Sequence, residues 1–168
     1  MPDPAPRSLL NIDQTLIRSV EHVFRTMVRQ PATLSETTTT YDGSRLGHQD
    51  QVIASVGFVG VASGLLYLRM AEPFARVIAG QVLKMSELEL IAEGPDTVKD
   101  AIGELTNMLA GTFKNTLCDL GYRCRLTLPT IVRGDHVNIT AVKEASRQVF
   151  YFEAMGKPFV VDLQVKIE

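Results

Sequence analysis

The stretch from Val52 to Leu68 contains no charged residue, and it divides the possibilities for the whole chain. Its length lies at the lower edge of what crosses a bilayer as a helix, a task that takes about 20 apolar residues. Gly57, Gly60 and Gly64 interrupt it, together with Ser55 and Ser63. No basic cluster flanks it to set an orientation in a membrane. Short β-rich pieces around a Gly-containing turn predict a buried hairpin instead, with strands over about Gln51–Val59 and Gly64–Met70. Such a hairpin needs a core to face. The chain has 168 residues, of which 45% are hydrophobic, enough for one domain spanning 1–168 with a single sizeable core. With the membrane set aside, a cytoplasmic location is the expectation.

Other classes fall away on composition. The formal net charge is −2, and no Lys/Arg stripe is present to neutralise phosphates, so nucleic acid is not an expected partner. Cys118 and Cys124 lie six apart without a nearby His to complete a metal set, and read as two reduced, partly buried thiols. His22, His48 and His136 are scattered, and Ser and Cys nucleophiles lack a recognisable motif or partner. No metal site is expected. The opening Met1-Pro2-Asp3-Pro4-Ala5-Pro6 has neither the basic nor the apolar region of a signal peptide, so residues 1–7 read as a flexible lead-in.

Apolar residues at Leu9, Ile12, Leu16, Val20, Val23 and Met27 recur at helical spacing and predict a first helix over about Ser8–Gln30, stopped by Pro31. A Thr-rich strand follows to Tyr41, then a loop to Asp50, then the hairpin. Pro73 is placed to begin a short helix ending near Met85, followed by a loop through Gly94-Pro95. The longest helix of the second half is expected from an Asp96 N-cap to about Leu120, with Gly121 as its terminator. Strands are expected over Arg123–Val132, Val137–Val142, Gln148–Phe152 and Phe159–Ile167. Both halves thus run helix first, then strands. The order predicts an α+β fold, an antiparallel or mixed sheet carrying long helices on one face, with a weak internal duplication.

The helix from Asp96 carries the chemistry-bearing residues. Val98, Ala101, Ile102, Leu105, Leu109, Thr112, Phe113, Thr116, Leu117 and Leu120 fall on one broad stripe, the expected core face. The other side carries Asp100, Glu104, Asn107, Gly111 and Lys114, with Gly103 beside them. Glu104 and Asn107 lie one turn apart and project together. Each glycine costs the helix about 1 kcal/mol against alanine, so Gly103 and Gly111 suggest close approach of another surface. The same residues are compatible with an ordinary solvated face whose glycines pack on a neighbouring helix.

The stretch Asp100-Ala101-Ile102-Gly103-Glu104-Leu105-Thr106-Asn107-Met108-Leu109-Ala110-Gly111, followed by Leu126-Thr127-Leu128-Pro129-Thr130, resembles the signature of the CheC/CheX phosphatase family. That signature is a Glu-x-x-Asn pair on a helix, an Asp or Ser four residues before it and a proline about twenty after it. Asp100, Glu104, Asn107 and Pro129 match. The first helix around Val23–Met27 and the hairpin Gly57–Leu66 are also similar. CheC relatives carry two Glu-x-x-Asn pairs and this chain has one, so CheX is the nearer likeness.

The resemblance implies a phosphatase acting on the aspartyl phosphate of a CheY-like response regulator. Asn107 would orient the attacking water, and Glu104 would pair with a regulator lysine. Asp100, Gly103 and Gly111 would meet the partner, although Asp100 has an alternative role in favouring the helix N-terminus. Pro129 would be structural, shaping the strand behind the helix. The chain would need no cofactor of its own, Mg²⁺ belonging to the regulator, and it would form a homodimer. The alternative is a non-catalytic CheX-like module docking on a response regulator or a motor-switch protein.

Overall fold

The structure, a computed structural model, describes residues 7–168, with side chains from Asn11 onward. The expected lead-in at 1–7 falls almost wholly outside the described residues. The uncharged run becomes a hairpin of β2 (Gln51–Gly60) and β3 (Ala62–Ala71), paired from Gln51↔Ala71 to Phe58↔Gly64. No helix is long and apolar enough to cross a membrane among the described residues.

Five further strands complete the sheet: β1 (Thr33–Thr38), β4 (Cys124–Leu126), β5 (Thr130–Gly134), β6 (Ser146–Ala154) and β7 (Lys157–Ile167). The order is β1-β6-β7-β3-β2-β4, with β5 continuing the β4 edge along β2, and every pair is antiparallel. Exchanging β1, β2, β3 for β4/β5, β6, β7 reproduces this order read from the opposite edge. The sheet therefore has an internal pseudo-dyad between β3 and β7, which is the duplication expected from the shared element order.

The helices are α1 (Arg7–Val23), α2 (Glu72–Leu83), α3 (Glu87–Glu93) and α4 (Pro95–Asp119). They cover one face of the sheet, and α4 packs on β2 between α1 and α2. Leu16, Val20, Leu105, Leu109 and Phe113 meet Leu66, Leu68 and Val161 in one core. Phe24 stacks on Phe159 at 4.5 Å between ring centroids, and Phe159 on Phe152 at 5.3 Å. Gly64 lies so near β7 that a Cβ there would overlap the Gln164 carbonyl.

Several boundaries differ from the sequence reading. The first helix widens at its exit into a π-turn at Phe24–Val28, with Arg29 left-handed at φ 61°. The loop expected before Gly94 holds α3, begun by a capping box in which Ser86 and Glu89 bond reciprocally. Helix α4 is capped by Gly94 at φ 96° rather than by Asp96, because Pro95 occupies its first position and Asp96 falls inside the first turn. The strand expected at Arg123–Val132 breaks at Thr127–Pro129. No strand forms at Val137–Val142. That segment is held by buried side chains instead, with the Val142 amide donating to Gln164 Oε1 at 2.5 Å and Gln164 Nε2 to the Thr140 carbonyl at 3.4 Å.

Asp13 on α1 is half-buried, and desolvation raises its pKa from 3.8 to about 6. Below 3.8 the carboxyl is protonated in folded and unfolded chains alike, whereas above 6 the folded chain must hold a poorly solvated carboxylate. Its contribution to stability therefore falls as pH rises through 6. Asp13→Asn is expected to stabilise the protein at neutral pH by about 1 kcal/mol, a figure reduced for solvent screening, and to have little effect below the unfolded-state pKa. Urea unfolding across that range measures the difference.

Candidate functional site

The direction in which α4 presents its polar residues is set by what lies between them. Leu105 and Thr106, the two residues inside Glu104-x-x-Asn107, are both fully buried. Thr106 Oγ1 donates to the Ile102 carbonyl at 2.7 Å, which satisfies its hydroxyl without a partner outside the helix. With Ile102, Leu109 and Phe113 also buried, the helix cannot roll, and Asp100 and Glu104 are exposed while Asn107 and Gly111 are partly so. None of the ion pairs among the described residues uses Asp100 or Glu104. The carboxylate and the amide thus stand one turn apart on a convex surface, free to take an outside partner.

The two glycines have different neighbours. Gly103 is buried, and a Cβ there would sit 2.9 Å from Ile131 Cδ1 on β5. The close approach it permits is to the protein's own sheet, so its expected place in the partner-facing set is corrected. Gly111 has nothing within 4 Å of a built Cβ and leaves a gap on the same stripe as Glu104.

Pro129 lies in the break between β4 and β5. Between Ser55↔Thr130 and Phe58↔Leu126, two residues of β2 face three on the edge, which makes a bulge. A proline cannot donate to the ladder, and Thr127 compensates. Its amide donates to the Gly57 carbonyl at 2.8 Å, and the Gly57 amide donates to its Oγ1 at 2.9 Å. The bulge turns Leu128 outward, 87% exposed. Gly103 rests on Ile131 and Phe113 on Phe58, so the break that exposes Leu128 lies on the sheet edge beside α4. Met108, 44% exposed, lies about 40° round the helix from Glu104 on the other flank. Sequence reasoning gave these two apolar residues no role. Leu128 beside Pro129 was the available signal, since a proline-induced bulge exposes its neighbour.

A cavity of about 620 Å³ opens elsewhere, between α2, α3 and the start of α4, and Glu104 and Asn107 are not part of it. A protruding helix face suits docking into a partner's cleft better than enclosing a small substrate. Among the described residues no three His, Cys, Asp or Glu side chains converge as a metal site. Cys118 and Cys124 are free thiols, and burial raises the Cys124 pKa.

An antiparallel sheet doubled about a pseudo-dyad, with helices on one face and a single outward Glu-x-x-Asn turn, defines a CheC/CheX-like protein. The same fold is seen in a chemotaxis protein CheX from Desulfovibrio desulfuricans (TM-score 0.78, 21% identity, 93% of this chain and 99% of that one). It is also seen in CheX from Vibrio vulnificus (TM-score 0.78, 22% identity, 93% and 99%). A third likeness is to the CheX–CheY–BeF3–Mg²⁺ complex from Borrelia burgdorferi (TM-score 0.72, 19% identity, 92% and 97%). A comparison with curated protein sequences returns no match. The family model described as chemotaxis phosphatase CheX matches residues 52–153, and the chain belongs to that family.

The glycines separate by stability. Gly111→Ala is expected to raise unfolding free energy by about 1 kcal/mol, the helix-propensity gain in open space. Gly103→Ala gains less because Ile131 must shift, and Gly103→Val destabilises by about 1–3 kcal/mol through overpacking. Chemical denaturation of the three variants reads the order.

Proposed function

We propose that this protein dephosphorylates a CheY-like response regulator, with Asn107 orienting the attacking water and Glu104 fixing the register of docking. The observation that carries the reading is an unpaired carboxylate and an amide one turn apart on the exposed face of α4. Membership in a family described as chemotaxis phosphatase supports it. So does the Borrelia burgdorferi neighbour, which was captured with CheY, BeF3 and Mg²⁺.

The chemistry asks little covalent work of this chain. The substrate is an acyl phosphate on a regulator aspartate. Water attacks phosphorus in line, the bond to the aspartyl oxygen breaks, and the carboxylate leaves as phosphate is released. The transition state is loose, so positioning supplies most of the catalysis. An amide is suited to this because its oxygen accepts from the water while its nitrogen donates to a neighbouring oxygen. Glu104, a carboxylate in solvent, pairs with a regulator lysine and places Asn107 in the cleft. Mg²⁺ stays with the regulator, where it offsets phosphoryl charge. Met108 and Leu128 border the pair and supply apolar contact, and the gap at Gly111 admits the partner's backbone.

Asn107→Ala is expected to lower the accelerated loss of phosphate by about a hundredfold, with binding and thermal stability unchanged because the buried neighbours are untouched. Glu104→Lys is expected to weaken docking itself. Phosphate release from phosphorylated regulators, read beside binding by calorimetry, tests both. Full acceleration by Asn107→Ala would remove the mechanism, and regulator binding by wild type without faster phosphate loss would make the chain an adaptor.

A further inference from the structure

The face of the sheet away from the helices is closed by two loops, residues 39–50 and 135–145, and between them lies a cavity of about 400 Å³. Arg69, on β3, is part of its wall and is only 3% exposed. A buried guanidinium is costly unless a carboxylate faces it. Here Nε donates to Gln51 Oε1 and Nη2 to the Val137 carbonyl, each at 2.5 Å, and Nη1 has no hydrogen bond among the described residues. Both acceptors are neutral.

The buried carboxylate on this face, Asp162, is already taken. It stands in register with Tyr67, and Arg147 grips it with a two-pronged contact at 3.1 and 2.6 Å. Asp135 lies at the cavity's mouth, half-exposed and 3.5 Å from His136 Nε2. Burial accordingly lowers the Arg69 pKa, with only partial relief from surrounding groups.

A second polar group is left over in the same wall. The Tyr41 ring covers the Arg69 guanidinium at 3.9 Å, and its hydroxyl is buried without a hydrogen-bond partner among the described residues. Gln51, whose oxygen accepts from Arg69, lies beside it. His48 and His136, far apart in sequence, both reach this cavity. A buried cation whose two acceptors are neutral and a hydroxyl without a hydrogen-bond partner among the described residues meet at one space, and the exposed His48 and His136 belong to its lining.

We propose that this cavity is a binding site for a small organic oxyanion, a carboxylate or a phosphate ester, held by the Arg69 guanidinium and the Tyr41 hydroxyl. The anion completes the charge that the fold leaves open, and the cavity has room for a body of several heavy atoms. The site lies on the sheet face opposite α4 and makes no use of Glu104 or Asn107.

Thermal unfolding of the full chain at constant ionic strength tests this with millimolar inorganic phosphate and citrate as separate probes. Either anion is expected to raise the midpoint by about 2 °C or more over chloride, and the stronger identifies the preferred headgroup. Tyr41→Phe is expected to weaken the anion about tenfold while leaving the unliganded midpoint equal or higher, since the lost hydroxyl has no partner. Arg69→Met is expected to abolish the shift. The His48 and His136 imidazole proton resonances should move on titration with wild type. No shift with either anion overturns the proposal, and so does a shift that Tyr41→Phe retains in full, which holds even if Arg69→Met fails to fold.

Discussion

Gly103 allows α4 to lie against β5 with only a hydrogen atom facing Ile131. That contact, with Leu105 and Thr106 buried beside it, fixes the rotation of the helix about its axis. A roll of one residue position, about 100°, would carry Glu104 into the core or swing Asn107 against the sheet. The outward pair is thus defined by the residues that are not functional in themselves. A docking group must be held within a fraction of an ångström, and a helix keyed into a sheet does that better than a loop. The cost is the propensity lost at Gly103, about 1 kcal/mol, and the core contacts of Leu109 and Phe113 outweigh it.

The pseudo-dyad explains why one sheet holds two unlike halves. Helices α1 and α4 are equivalent in the topology and pack side by side on the same face. Each has a buried stripe that suits the same sheet. Only α4 carries Glu-x-x-Asn. The constraint of packing acts on the inner face of each helix, so the outer faces are free to diverge. The outward residues of α1, among them Asn11, Gln14 and Arg18, contain no carboxylate–amide pair at that spacing.

Local physics made part of this legible in the sequence. The glycines in Val52–Leu68 opposed a membrane helix, and the run is a hairpin. The periodicity of α4 and the terminator Gly121, at φ 97°, gave that helix nearly its full length. Helix α3 was equally local, since Ser86-x-x-Glu89 is a capping box, but the reading stopped at the flanking Gly94-Pro95. The strand over Val137–Val142 was misread because β-branched residues also suit an extended segment tied by side chains. Those ties come from Gln164 and Arg69 and become visible only when β3 and β7 are paired. The role of Gly103 had the same limit. A missing side chain announces a close approach but does not say whether the neighbour is a partner or Ile131. Tyr41, Arg69, His48 and His136 share no sequence signal at all, because tertiary pairing alone brings them together.

Strand β5 joins the two faces of the molecule. Its Ile131 supports Gly103 beneath α4, and the chain leaving Gly134 runs directly into Asp135, His136 and Val137 at the Arg69 cavity. β5 is short, lies at an edge and is separated from β4 by the Pro129 bulge, so its order depends on β2 and on what holds each end. At one end the Val137 carbonyl is tied to Arg69, and at the other Thr127 is tied to Gly57. Segments of this kind are among the less stable parts of a sheet and are where local opening begins. Any free energy that stabilises the Val137 tie also stabilises the surface on which α4 rests. The Ile131 contact with α4 and the Val137 tie to Arg69 therefore fall on one short edge strand and the chain that leaves it.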